Sequence, residues 1–164
     1  MLKSAEVDIL GDGSLDYSNA VLKELDLTIC SIHSRFALGR REQTDRIMRA
    51  MDNRYFNILG HATGRLLLKR EGYLLDFDKL ITRAAKVGCY FEINANPNRL
   101  DLSDGHAKLA KDAGIKIAIN TDAHSTRELK FMEAGINQAR RAWLSKDDVL
   151  NALPLAKLKE QLKR

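Results

Sequence analysis

Five short apolar runs recur along the chain, near residues 5–10, 27–33, 56–61, 89–94 and 116–121, with helical periodicity between most of them. Residues 41–51 carry Ile47, Met48 and Met51 on one face, and residues 77–87 carry Leu80, Ile81, Ala84 and Val87. Two more helical patterns cover 104–113 and 128–143. A strand then a helix, repeated every ~20–30 residues, buries its apolar strands best as a parallel sheet or barrel with helices outside. The expected fold class is therefore α/β. Gly88 and Gly114 follow helical patterns, where a helix end often takes a left-handed residue, and Asp76 and Ser103 are placed to act as N-caps. Beyond the fifth run the pattern is purely helical. Ser145-Lys146-Asp147-Asp148 reads as a helix start with acids in its first turn, and Pro154 separates two short helices or opens the last one.

At 164 residues and 45% hydrophobic, the chain can bury a real core, and residues 1–164 read as one domain. Five β/α units fall short of a closed eight-stranded barrel, which takes about 250 residues. Met1 lies five residues before Glu6, so the first strand has almost no lead-in. An open partial barrel, or a chain without an N-terminal portion, is the expectation. No apolar run reaches membrane-spanning length and no signal peptide precedes Glu6, so the expected location is the cytoplasm, without membrane contact. Cys30 and Cys89 lie in apolar, strand-like surroundings and read as two buried thiols; they lack the C-x-x-C spacing of a thiolate zinc site. The net charge of +5 is compatible with an anionic substrate but weakly diagnostic. Much of it comes from residues 157–164, where a solvated helix face is the plainer reading.

The apolar runs end in ligand-type side chains. Glu6 sits in the first run, His33 closes the second, His61 closes the third, and Asp122 and His124 follow the fifth. Strand ends in a β/α fold converge on one face, so residues distant in sequence can meet there around metal ions. A single histidine at a strand end is ordinarily a hydrogen-bonded core residue; three of them with two acids favour ligation. His106, the fourth histidine, falls in a helical pattern and reads as a packing or surface residue. Imidazole and carboxylate together suit zinc or manganese. Two such ions about 3.5–4 Å apart can hold a phosphate, activate water and neutralise the leaving oxygen. Asp8 reads as a structural or orienting acid. Arg35 and Arg65 follow ligand histidines and either bind phosphate through paired hydrogen bonds or form salt bridges to neighbouring acids. Glu92, Asn94 and Asn96 read as groups that position ligands or shape a loop.

The segments A-E-V-D-I-L at 5–10, S-I-H-S-R at 31–35, G-H-A-T-G-R at 60–65, E-I-N-A-N-P at 92–97 and N-T-D-A-H-S at 120–125 occur in an order and spacing that resembles the PHP (polymerase and histidinol phosphatase) superfamily. Within it the chain is similar to the C-terminal PHP domain of bacterial X-family DNA polymerases. G-D-G-S-L-D-Y at 11–17, T-G-R-L-L-L-K-R-E-G-Y at 63–73 and N-R-L-D-L at 98–102 strengthen the match, which spans nearly all of residues 4–153. The resemblance implies a distorted seven-stranded β/α barrel, of which this chain holds about five parallel strands with outer helices and a helical C-terminus. It implies divalent ions, zinc or manganese, and hydrolysis of phosphate esters, with 3′-5′ exonuclease activity on DNA ends in the polymerase branch. By the same resemblance Glu6 is a bridging carboxylate, His33 and His61 share an ion with it, and Asp122 and His124 serve two others, with Glu6 and Asp122 as catalytic residues. The family's N-terminal H-x-H motif is missing from this sequence. One metal site (Glu6, His33, His61) is then complete, a second keeps Glu6 and Asp122, and a third keeps His124. Two functions stay open: a metal-dependent phosphoesterase, or a catalytically impaired remnant acting as a metal-binding structural or DNA/protein interaction module. Missing strands could come from a complementing N-terminal chain or from a second copy in a homo-oligomer.

Overall fold

The structure is a computed structural model and describes residues 2–163. Five strands, β1 (Ser4–Asp8), β2 (Leu27–Ser31), β3 (Ile58–Leu59), β4 (Tyr90–Asn94) and β5 (Ile117–Asn120), form one parallel sheet in the order 1-2-3-4-5. Each strand lies beside its sequence neighbour, as in the wall of a barrel; a doubly wound sheet would reverse its order at a switch point. The sheet does not close on itself, so the architecture is a partial α/β barrel, as expected.

The helices are α1 (Asn19–Leu22), α2 (Arg40–Met51), α3 (Phe77–Val87), α4 (Asp104–Asp112), α5 (Met132–Arg141) and α6 (Leu155–Gln161). Their ends follow local chemistry. The Asp76 carboxylate accepts from the Lys79 amide, and the Ser103 hydroxyl accepts from the His106 amide. Gly88 ends α3 at φ 74. Ser145 and Asp148 form a reciprocal capping box, but it opens a 3₁₀ turn (Lys146–Asp148) instead of an α-helix. The pattern over 128–143 also divides, into a 3₁₀ segment (Thr126–Phe131) followed by α5. The run at 56–61 yields a strand of only two residues, because the chain leaves the extended conformation at His61, where φ is 26.

Alternation along the strands gives the sheet two different faces. Val7, Cys30, Leu59, Phe91, Ile93 and Ile117 join Ile47, Leu80, Ala84, Ala107 and Ala139 of the helices in the main core. On the opposite face Leu27, Ile29, Ile58, Tyr90 and Ala118 pack under Leu150, Leu153, Leu158 and Leu162. The C-terminal helix is thus amphipathic cover for the sheet. Lys157, Lys159 and Lys163 are exposed while Leu162 is buried, and Asn57 Nδ2 donates to the Leu162 carbonyl at 3.0 Å. Toward the strands' carboxyl ends the same face turns polar, with Ser31, Glu92, Asn94 and Asn120, and with Glu6 on the edge strand. Cys30 and Cys89 are buried thiols. Among the described residues no helix is long and apolar enough to cross a membrane.

The β5 edge is covered by a side chain that imitates backbone. Asn151 Oδ1 accepts from the Ile119 amide at 3.0 Å, and Asn151 Nδ2 donates to the Ile119 carbonyl at 2.8 Å. Asn151→Ala leaves both strand groups without these partners. A loss of roughly 1–3 kcal/mol is expected, read as a lower urea midpoint at unchanged slope.

Candidate metal centre

Three elements deliver three ligand-type side chains to one point. Glu6 projects from the edge strand β1, His33 follows β2, and His61 follows β3. The turn into His61 requires glycine before it. A Cβ on Gly60 would stand 2.5 Å from Ser31 Oγ and 2.7 Å from Ile29 Cγ2, so β3 can lie this close to β2 only with a bare α-carbon there. His61 is held in a left-handed conformation, and its amide donates to Glu92 Oε2 at 2.8 Å. The ends of β1 and β2 are tied by Arg46, a fully buried residue of α2 that donates to the carbonyls of Ile9, Leu10 (2.8 Å) and Ser34 (2.9 Å).

Glu6 Oε1 lies 2.9 Å from His61 Nε2 and 3.4 Å from His33 Nε2. The three residues offer ligand atoms that all fall within 4.8 Å of one another. His33 Nδ1 lies 2.6 Å from Asp8 Oδ1. An ionised carboxylate only accepts, so this contact places a proton on Nδ1 and aims Nε2 at Glu6. Hydrogen bonding to the Glu6 carboxylate, helped by Asp8 and opposed by partial burial, lifts the His33 pKa to about 9. The same hydrogen bonds from His33 and His61 hold the Glu6 carboxyl far below the usual carboxylate range. Burial pushes the Glu92 carboxyl up; its oxygens accept from the His61 amide and from Asn120 Nδ2 at 2.7 Å. Two imidazole nitrogens turned on one ionised oxygen, with protons held tightly between them, make a place a cation can take. The donor set fits zinc or manganese.

Asp122 and His124 border the same opening. A cavity of about 430 Å³ is lined by Glu6, His61, Glu92, Asp122 and His124, among others. Asp122 sits at φ 54, and its Oδ2 faces Asn94 Nδ2 at 3.1 Å and Arg99 Nε at 3.3 Å. His124 Nδ1 lies 2.9 Å from the Asp122 carbonyl, an acceptor only, so Nδ1 carries a proton on this exposed ring. The fold therefore sets Asp122 and His124 on the cavity wall, outside the 4.8 Å group formed by Glu6, His33 and His61.

The two arginines lie against backbone, away from the cavity wall. Arg65 donates to the carbonyls of Arg99 (2.9 Å) and Leu100, so its guanidinium holds a turn. Arg35 lies across Gly11, where an added Cβ would meet its Cζ at 2.9 Å. Neither lines the cavity. The basic group beside Asp122 is Arg99, which no periodicity or ligand spacing distinguishes in the sequence. Asp8 is an orienting acid, as read. His106 is a packing residue, as read: its ring lies on Phe77 at 3.8 Å between centroids and 3° between planes.

The pH dependence of stability follows from His33. A pKa raised from 6.5 to about 9 on folding means the folded state holds the proton more tightly, so the stabilisation is complete below about 6.5 and lost as pH climbs through about 9. Thermal unfolding with a chelator should show stability falling over that window. Added zinc or manganese should reverse the slope, because an ion needs the nitrogen unprotonated. A flat profile in both conditions would contradict the charge arrangement described.

No family model matches the chain. It is 43% identical over 164 residues to the DNA polymerase/3′-5′ exonuclease PolX of Bacillus subtilis, which covers 100% of this chain and 29% of that protein. It is 32% identical over 174 residues to a protein named probable phosphatase from Thermoanaerobacter sp. (strain X514), covering 99% of this chain and 68% of that protein. A protein of the same name from Caldanaerobacter subterraneus is 25% identical over 162 residues, covering 92% of this chain and 61% of its own length. The chain thus spans less than a third of the Bacillus protein and about two thirds of the other two. Side chains from four separate motifs meet at one rim of a sequentially ordered parallel sheet, and the likeness to both kinds of relative covers almost the whole chain: it belongs to the PHP superfamily, close to the X-family DNA polymerases.

Proposed function

We propose that this chain is a metal-dependent phosphoesterase of the PHP type. The observation that carries the reading is the convergence of Glu6, His33 and His61 within 4.8 Å of one another, beside a cavity that Asp122 and His124 also line. Glu6, His33 and His61 would hold a divalent ion, zinc or manganese. When bound, such an ion supplies Lewis acidity toward a phosphoryl oxygen and lowers the pKa of water. The chain's own groups do the rest. Asp8 keeps the proton of His33 on Nδ1, so that Nε2 stays available as a ligand. His124 lines the opening with Nδ1 held by the Asp122 carbonyl. Asp122 uses Oδ2 to hold the Arg99 guanidinium through its Nε, which sets one positive charge beside the cavity wall.

The substrate class is a phosphate ester. A DNA 3′ end is the finer proposal, supported by the 43% identity to a protein named as a 3′-5′ exonuclease and by the net charge of +5. A second reading, a module that binds a single ion for structural reasons, draws on two observations. Among the described residues only Glu6, His33 and His61 form a three-ligand group, and Asp122 Oδ2 is already engaged by Asn94 and Arg99.

The two readings part on catalysis. With manganese present, the protein should hydrolyse bis(p-nitrophenyl) phosphate and shorten a 3′-labelled oligonucleotide. His33→Ala should lower kcat/KM by about a hundredfold or more, equivalent to ~2.7 kcal/mol of transition-state stabilisation. Equal rates in the two proteins, with one ion retained per wild-type chain, would establish the structural module instead.

A further inference from the structure

The connection from His61 to α3 carries a hairpin that the metal centre does not use. Leu66 and Arg70 pair in antiparallel fashion: the Leu66 amide donates to the Arg70 carbonyl at 2.9 Å, and the Arg70 amide to the Leu66 carbonyl at 2.8 Å. The foot of the hairpin is anchored to its surroundings. Arg65 donates to the carbonyls of Arg99 (2.9 Å) and Leu100, the Leu67 amide to the Asn98 carbonyl at 2.7 Å, and Arg70 Nη2 to the Gly64 carbonyl at 2.6 Å. The Arg70 guanidinium also lies 4.3 Å over the Phe36 ring.

The tip is built in the opposite sense. Leu68 sits at φ 62 and is 107% exposed, and Leu67 beside it is 37% exposed. A turn position in the left-handed region ordinarily takes glycine or asparagine, because a Cβ crowds the following carbonyl. A leucine there is strained, and with its side chain in water it gains nothing from burial. Folding draws no benefit from Leu68, and strain of this kind gathers where a binding function uses it. Around the same groove stand Arg65, Lys69 and Arg70 against one acid, Glu71, and Lys69 is exposed. An apolar tip with cations at its foot matches a polyanion that also presents flat apolar faces, which is the chemistry of an unpaired nucleic acid strand.

We propose that this hairpin is a contact for single-stranded DNA: Leu67 and Leu68 pack on the face of a base, and Lys69 takes a backbone phosphate. The hairpin leaves the sheet at His61, and the chain from there to Leu68 spans at most about 25 Å, so the tip lies within reach of a strand that ends in the cavity. The turn that anchors it also carries Arg99, which meets Asp122 on the cavity wall. The inference deepens the phosphoesterase reading by naming what holds the strand, and rests on that reading for its purpose; the contact itself needs no ion.

Leu68→Gly and Lys69→Gln test the contact in the intact chain. Glycine removes the left-handed strain, so Leu68→Gly should unfold at the wild-type temperature or higher. Binding is read from the fluorescence anisotropy of a labelled oligothymidylate, with a chelator present so that the ion site takes no part. Affinity should fall about five- to tenfold in Leu68→Gly. Lys69→Gln should weaken binding and lower the slope of log affinity against log salt by about 0.7, the share of one phosphate on a single strand. Manganese-supported hydrolysis of bis(p-nitrophenyl) phosphate, too small to reach the tip from the cavity, should keep its wild-type rate in both variants. Equal oligothymidylate affinity in wild type and Leu68→Gly, a loss confined to Lys69→Gln, a wild type that does not bind the strand, or a slower small ester in either variant overturns the proposal. Weaker strand binding by both variants, in a protein that hydrolyses no ester at all, would leave the contact standing and remove the phosphoesterase reading.

Discussion

A buried carboxylate joins the three strands at the centre and far side of the sheet. Glu92 takes the His61 amide on one oxygen and the Asn120 side chain on the other, linking the exit of β3 to β4 and β5. Each contact satisfies a polar group that would otherwise be stranded beneath the rim, where a missing partner costs on the order of 1–3 kcal/mol. Burial raises the proton affinity of this carboxyl, and the two donors work against that rise. The consequence is geometric. His61 leaves its strand at a left-handed angle and is held there, which brings its ring against Glu6 on the far edge of the sheet.

Arg46 plays the matching part on the other side. Its guanidinium is buried in α2 and spends its donors on backbone carbonyls at the ends of β1 and β2. Asp8 and His33 flank those carbonyls. The rim is therefore built from polar side chains that fix backbone, with the ligand-type residues standing between them. Residues held in left-handed conformations at His61 and Asp122 fit this picture, since such strain persists only where surrounding contacts overdetermine the chain.

The division of the inner face into an apolar lower part and a polar upper part separates stability from chemistry. Leu150, Leu153, Leu158 and Leu162 cover the lower part, so the C-terminal segment acts as cover while its lysines stay in water. The cavity is lined at the carboxyl ends by Glu6, His61, Asp122 and His124. This is where catalytic groups gather in β/α barrels, because the loops there leave from strand ends that the hydrogen-bonded wall has already aligned.

Much of this was legible in the amino-acid order. Strand and helix alternation, the caps at Asp76 and Ser103, the left-handed Gly88, and the ligand-type side chains at the ends of the apolar runs are local signals: each depends on a few residues and a short-range rule of backbone geometry or coordination chemistry, whereas the grouping of Glu6, His33 and His61 was implied by the resemblance to the PHP superfamily. What only the tertiary structure decided depends on which distant groups share a neighbourhood. No periodicity turns Arg65 toward the carbonyls of Arg99 and Leu100, sets Arg99 at Asp122, or buries Arg46 under two strand ends. The bare backbone required at Gly60 is set by Ser31 and Ile29, residues about 30 positions away on another strand. Residue type and spacing determine what chemistry a side chain can perform; the packing of β2 against β3, and of the 99–101 turn beneath them, determines which of several equivalent arginines and acids is placed to perform it.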